Sequence, residues 1–181
     1  MLNREQSVLI VLDIQDIFMP KDASTVEAYL KQADKIIKAA QLLDIPIIVT
    51  EQYPERFGST NESILKTLGD VARMPKIEFG CLANEAFRTL LSEMGRKQLL
   101  ITGMEAHICV LQTTLDALAD GYEVYLLRDA IVSSRRNEYK AGMARMEQAG
   151  AIGVTVEMAI FELLRCAGTP EFKKILPLIK A

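Results

Sequence analysis

Three residues in this chain have the chemistry for a covalent hydrolysis, and each stands just past or within an apolar extended run: Asp13, Lys76 and Cys109. Cys109 lies in Leu99–Leu115, which starts as a short apolar run, passes Thr102-Gly103 and turns to helix-period spacing after Ala106. A short apolar run closed by glycine is how a buried parallel strand ends. The cysteine then falls in the first turn of the following helix, where backbone N–H groups lack partners and the dipole is positive. That field is expected to lower the thiol pKa and to hold an oxyanion formed beside the sulfur. Asp13 is suited to take the thiol proton, Lys76 to tune both neighbours by its charge, and Cys109 to attack. The competing reading of Cys109 is a buried small hydrophobe, and spacing alone leaves both open.

The elements that position these residues alternate strand and helix. Extended runs are expected at Val8–Leu12, Ile45–Thr50, Met74–Phe79, Gln98–Ile101, Glu123–Leu127 and Ala151–Thr155. Amphipathic helices are expected at 26–43, 62–68, 83–94 and 138–149, with another running from Cys109 to Asp120 and two more flanking Gly168-Thr169-Pro170. Six strands, most followed by a helix, predict one α/β domain over residues 1–181: three layers, α/β/α, around a mostly parallel six-stranded sheet. Ligands in such sheets bind beyond the strands' carboxyl ends. Asp13, Gln15, Glu51, Gln52, Lys76, Glu105, His107, Cys109 and Asp129 should therefore converge.

Composition excludes several classes. The 181 residues are 50% hydrophobic and 25% charged with net charge −3, an ordinary globular balance. No basic run suggests nucleic acid, and no apolar run reaches membrane-spanning length. The opening Met1–Gln6 lacks a signal-peptide pattern, and three cysteines without framework spacing fit a reducing cytoplasm.

Several segments resemble the isochorismatase-like cysteine hydrolases. They are Val11-Leu12-Asp13-Ile14-Gln15, Thr50-Glu51-Gln52-Tyr53-Pro54, Lys76 and Gly103 through Thr113, with Gly121-Tyr122-Glu123-Val124, Asp129-Ala130 and Glu157…Leu163 further on. The match runs nearly the whole chain in the family's order. It is nearest to the metal-free "isochorismatase domain-containing" branch, through Glu-Gln-Tyr-Pro and Glu-Ala-His-x-Cys-Val. The resemblance implies a catalytic triad of Asp13, Lys76 and Cys109. It also implies a cis Met104–Glu105 peptide, an oxyanion hole from the Glu105 and Cys109 amides, and a homo-oligomer. Phe161–Leu164 and Ile175–Ile179 are apolar enough to serve as the contact.

Departures from relatives narrow the chemistry. Nicotinamidases of the family hold a metal through Asp-x-His-x-His. This chain has one histidine, His107, so no metal or other cofactor is expected. True isochorismatases lack the nucleophilic cysteine, so Cys109 points to a small-molecule amide or related C–N bond, cleaved through a thioester. Gln15, Gln52, Tyr53 and His107 are candidate substrate contacts, Glu51 a candidate contact or solvated loop residue, and Arg135-Arg136 a solvated pair or an anion site. Cys81 reads as a filler or a resolving thiol. The alternative function is a non-catalytic binding protein that keeps fold and pocket.

Overall fold

The computed structural model describes residues 1–180. The strands are β1 (Ser7–Leu12), β2 (Ile47–Gln52), β3 (Arg73–Lys76), β4 (Gln98–Gly103), β5 (Glu123–Ile131) and β6 (Ile152–Val154). The helices are α1 (Ala23–Leu42), α2 (Pro54–Phe57), α3 (Glu62–Leu68), α4 (Glu85–Glu93), α5 (Cys109–Ala119), α6 (Arg136–Gln148), α7 (Val156–Leu164) and α8 (Pro170–Lys180). All six strands are parallel, in the order β3-β2-β1-β4-β5-β6. The expected fold class holds.

Alternation along the strands builds the three layers. Every residue of β1 is buried, because helices cover both faces and successive side chains point to opposite sides. Leu9 and Val11 join a core with Tyr29, Ala33 and Ile36 of α1, Ile64 of α3, Ile160 of α7 and Ile175 of α8. Val8, Ile10 and Leu12 face the other way, onto Phe87 of α4, Val110 and Ala117 of α5, and Met143 and Met146 of α6.

The strand order is that of doubly wound sheets. The chain winds to one side of β1 through β2 and β3, then returns to β1's other side at β4. Strand order reverses between β1 and β4, and this is where a crevice opens at the carboxyl ends. The two strand ends lie close together. Gly103, at φ 140°, would place a Cβ 2.0 Å from the Leu12 carbonyl oxygen, so only glycine fits.

Several boundaries differ from expectation. Glu51 and Gln52 complete β2 instead of opening a loop, because parallel pairing to β3 runs on to Gln52–Lys76. Lys76 therefore ends its strand rather than lying near its middle. β5 continues to Ile131, past a register shift opposite Ile101–Gly103. α1 begins earlier, at Ala23, since the Asp22 side chain accepts the Thr25 amide as an N-cap. Between Cys81 and Ala83 the chain makes a 3₁₀ turn, and α4 starts only at Glu85, capped by Asn84.

Candidate active site

Asp13 follows β1 directly and adopts a left-handed backbone (φ 53°), a conformation its short polar side chain tolerates. Its amide donates to the Thr50 carbonyl at 3.2 Å. One carboxylate oxygen accepts the Lys76 ammonium at 2.7 Å and the other accepts the Thr50 hydroxyl at 2.7 Å. Both ion-pair side chains are only 1% exposed. Lys76 Nζ also donates to Gln52 Oε1 at 2.5 Å and to the carbonyls of Glu78 and Phe79 at 3.1 and 3.3 Å. This shell satisfies a buried ammonium that would otherwise be costly.

Cys109 enters from β4 through the elbow Met104–Ile108, in which the Met104–Glu105 peptide is cis. As the first residue of α5 it lies with its sulfur 3.8 Å from Gln52 Oε1, to which the thiol donates. Gln52 thus spans the cluster: its Oε1 meets both Lys76 and Cys109, while its Nε2 donates to the Ile77 carbonyl at 2.9 Å. Among the described residues, no acceptor engages the Glu105 or Cys109 amide. Asp13, Lys76 and Cys109 therefore come together at the switch point.

The electrostatics correct one expectation. Burial pushes the Cys109 thiol well up, the Asp13 charge pushes it further, and Lys76 offsets this only in part. Desolvation outweighs the helix N-terminus that was expected to lower it. Burial also raises the Asp13 carboxyl above its usual 3.8, against the opposing pull of Lys76. Burial alone would depress Lys76, but the Asp13 charge, with Cys109 and Cys81 behind it, holds the ammonium above its usual 10.5. The cluster is the buried Asp13–Lys76 pair beside a thiol whose surroundings favour its protonated form.

The remaining candidates divide. Gln15 is fully buried and its amide is committed: Nε2 donates to the Gln52 and Gly58 carbonyls at 3.0 and 2.6 Å, and Oε1 accepts the Gln52 amide at 2.7 Å. It braces β1 against β2 and has no group left for a substrate. Glu51, expected to meet substrate or solvent, is buried and accepts the Thr60 amide and hydroxyl, both at 2.8 Å. Tyr53 stands half exposed, its ring edge-on to Phe57. His107 Nδ1 lies 3.1 Å from the Ser133 hydroxyl, tying the elbow to the chain after β5. Glu105 reinforces that tie, its carboxylate accepting the Ser134 amide at 2.8 Å. Asp129 accepts the first amide of α7 at 2.9 Å and so ties the end of β5 to that helix. Cys81 is buried and pushed up to about 12, a packed thiol. Thr50 was missed, although alternation placed it beside Asp13's strand end. Among the described residues, no group of three or more His, Cys, Asp or Glu is arranged to hold a metal ion.

A doubly wound α/β sheet with a cysteine, a lysine and an aspartate meeting at its switch point defines the class. Residues 7–158 match the isochorismatase domain, and the chain belongs to that family of hydrolases. It is 41% identical over 178 residues to a secreted isochorismatase effector, Isc1, of Phytophthora sojae, spanning 96% of this chain and 84% of the relative. To the mouse isochorismatase domain-containing protein 2A it is 37% identical, over 97% of this chain and 84% of the relative. The structure of the MAR1 ribonuclease of Caenorhabditis elegans superposes with a TM-score of 0.90 at 33% identity, covering 99% of this chain and 92% of that one.

Proposed function

We propose that this chain is a cysteine hydrolase of small-molecule amides or related C–N bonds, working through Asp13, Lys76 and Cys109. The observation that carries the reading is one cluster in which Gln52 Oε1 meets both Lys76 and the Cys109 thiol while Lys76 pairs with Asp13. Asp13 removes the thiol proton as sulfur adds to the carbonyl carbon. The carbonyl oxygen becomes an oxyanion facing the Glu105 and Cys109 amides. Asp13 then returns the proton to the departing nitrogen, the C–N bond breaks, and a thioester remains. Water adds to the thioester, giving its proton to Asp13. The acid leaves, and sulfur recovers the proton. Lys76 stays charged throughout and favours the ionised form of Asp13, while burial keeps that carboxylate more basic than usual. Gln52 orients the thiol, and Tyr53 and His107 stand at the periphery as substrate contacts.

Cys109 is 6% exposed, which supports a small substrate rather than a polymer. The net charge of −3 likewise weighs against nucleic acid, although the similar Caenorhabditis elegans protein is named a ribonuclease. Free Cys81, Cys109 and Cys166 support a reducing compartment such as the cytoplasm, while secretion is said of the Phytophthora relative. Among the described residues, no helix is long and apolar enough to cross a membrane.

A screen of small amides, carbamates and ureas for turnover, with Cys109→Ala as control, tests the proposal. Turnover lost in the variant, with a covalent acyl mass on wild-type Cys109, is expected. If the variant turns over as fast as wild type, the nucleophile is misassigned. If the wild type turns over nothing while the fold is intact, the non-catalytic alternative gains.

A further inference from the structure

One large cavity lies apart from the triad, none of whose side chains lines it. It is a groove of about 1300 Å³ between the segment after β1, with the start of α1, and the segment joining β5 to α6. One wall carries Lys21 and Tyr29; the other carries Arg128, Ser133, Arg135 and Arg136. This wall is one residue removed from the nucleophile's elbow. Ala106 donates to the Val132 carbonyl at 3.0 Å, His107 meets Ser133, and Glu105 meets the Ser134 amide.

The groove is cationic in an anionic chain. Lys21, Arg128, Arg135 and Arg136 line it against two carboxylates, Asp22 and Asp129, and both of those already accept backbone amides. Arg128 is held 3.2 Å from Glu147 and Arg135 lies 3.8 Å from Glu138, neither carboxylate being part of the lining. Arg136 and Lys21 meet no carboxylate within ion-pair distance among the described residues. Arg135 caps α6 with no side-chain acceptor, so the helix presents first-turn amides without a cap.

A second observation asks for a ligand independently. Tyr29 is 2% exposed and lines the groove, yet its hydroxyl has no hydrogen-bond partner among the described residues. A buried hydroxyl is rarely left unpaired, because its lost hydration is not recovered. Its ring completes the α1 core, but phenylalanine would do that equally well. The hydroxyl matches an acceptor supplied from outside the chain.

We propose that this groove takes the anionic end of the substrate, a carboxylate or phosphate carried at a distance from the bond that is cut. Arg135, Arg136 and the α6 amides neutralise it, Ser133 and Tyr29 donate to it, and the elbow bonded to the same wall sets its distance from Cys109. This rests on the amidohydrolase reading and narrows its substrate class to acids bearing an amide or related group.

The probes are ω-carbamoyl carboxylates from malonamate to pimelamate, each against the neutral alkanamide of equal length. Binding is measured calorimetrically in Cys109→Ala protein, and turnover in wild type. At the best-fitting length the carboxylate is expected to bind at least about tenfold tighter than its neutral partner, as a charge-assisted contact provides. The gap should close in Arg135→Gln/Arg136→Gln and narrow in Tyr29→Phe. Equal binding of the paired probes across the series, no binding of any, or a gap that survives the double variant overturns the proposal. Inorganic phosphate that binds without weakening the carboxylate probes marks a separate effector site and also overturns it. Arginine-dependent binding without turnover keeps the groove and sinks the amidohydrolase reading. Turnover with no preference for charge does the reverse.

Discussion

In the proposed mechanism the Cys109 thiol, which its surroundings hold protonated, gives its proton to Asp13. Asp13→Asn keeps the shape and loses the acceptor. The expected result is a fall of ~10²–10⁴-fold in kcat/KM, with the folded state retained by circular dichroism. Lys76→Met leaves Asp13 as a buried carboxylate without its cation, which costs about 3–5 kcal/mol in stability by denaturant titration. It should also shift the pH profile of Cys109 alkylation upward, because a cation that lowers the thiol pKa is gone while Asp13 remains. Coincident profiles for wild type and variant would remove Lys76 from the mechanism. The buried thiols also make stability depend on pH. Cys109 and Cys81 hold their protons more tightly folded than unfolded, where a thiol titrates near 9.0. Their contribution is fully present below that pH and is lost as pH rises through the folded values, about 12 for Cys81. The melting temperature should therefore drop between about pH 8 and pH 11, and Cys81→Ala should flatten part of the drop.

The elements show which parts of the site were legible. Asp13 and Cys109 could be placed because an apolar run ends at each, and hydropathy marks strand ends well. Gln15 and Glu51 could not. Each is a polar residue whose side chain is buried and satisfied by another segment, and hydropathy reads such a residue as loop. The raised thiol escaped for a related reason. Helix position is visible in a linear pattern, whereas desolvation depends on which segments close over the sulfur. The contact of β1 with β4 supplies a test at this scale. Gly103→Ala would drive a methyl into the Leu12 carbonyl. It should destabilise by about 3–5 kcal/mol and cost activity, since the elbow to Cys109 starts there.

At the scale of the molecule, exposed apolar residues occur in several segments, Ile17, Ile77 and Phe79 among them, and three belong to β6 and α7. Met158 and Phe161 of α7 and Ile152 of β6 stand about half exposed. Ile175, expected among contact residues, instead packs into its own core through α8. The surface of α7 and β6 supports the homo-oligomer expected from the family resemblance. Light scattering at micromolar concentration should give a mass above one chain's 20.2 kDa. Phe161→Glu should lower that mass while leaving the far-ultraviolet spectrum unchanged.

The strand order carries a consequence for how the protein comes into being. β1 is an inner strand of the sheet, and its partner β4, Gln98–Gly103, is synthesised some ninety residues later. Until then a largely apolar ribbon has an unpaired edge, and a nascent chain in that condition is prone to aggregate. Closing so long a loop also makes folding slow relative to a helical bundle of equal size. Only after β4 has emerged can Cys109 be brought to Asp13.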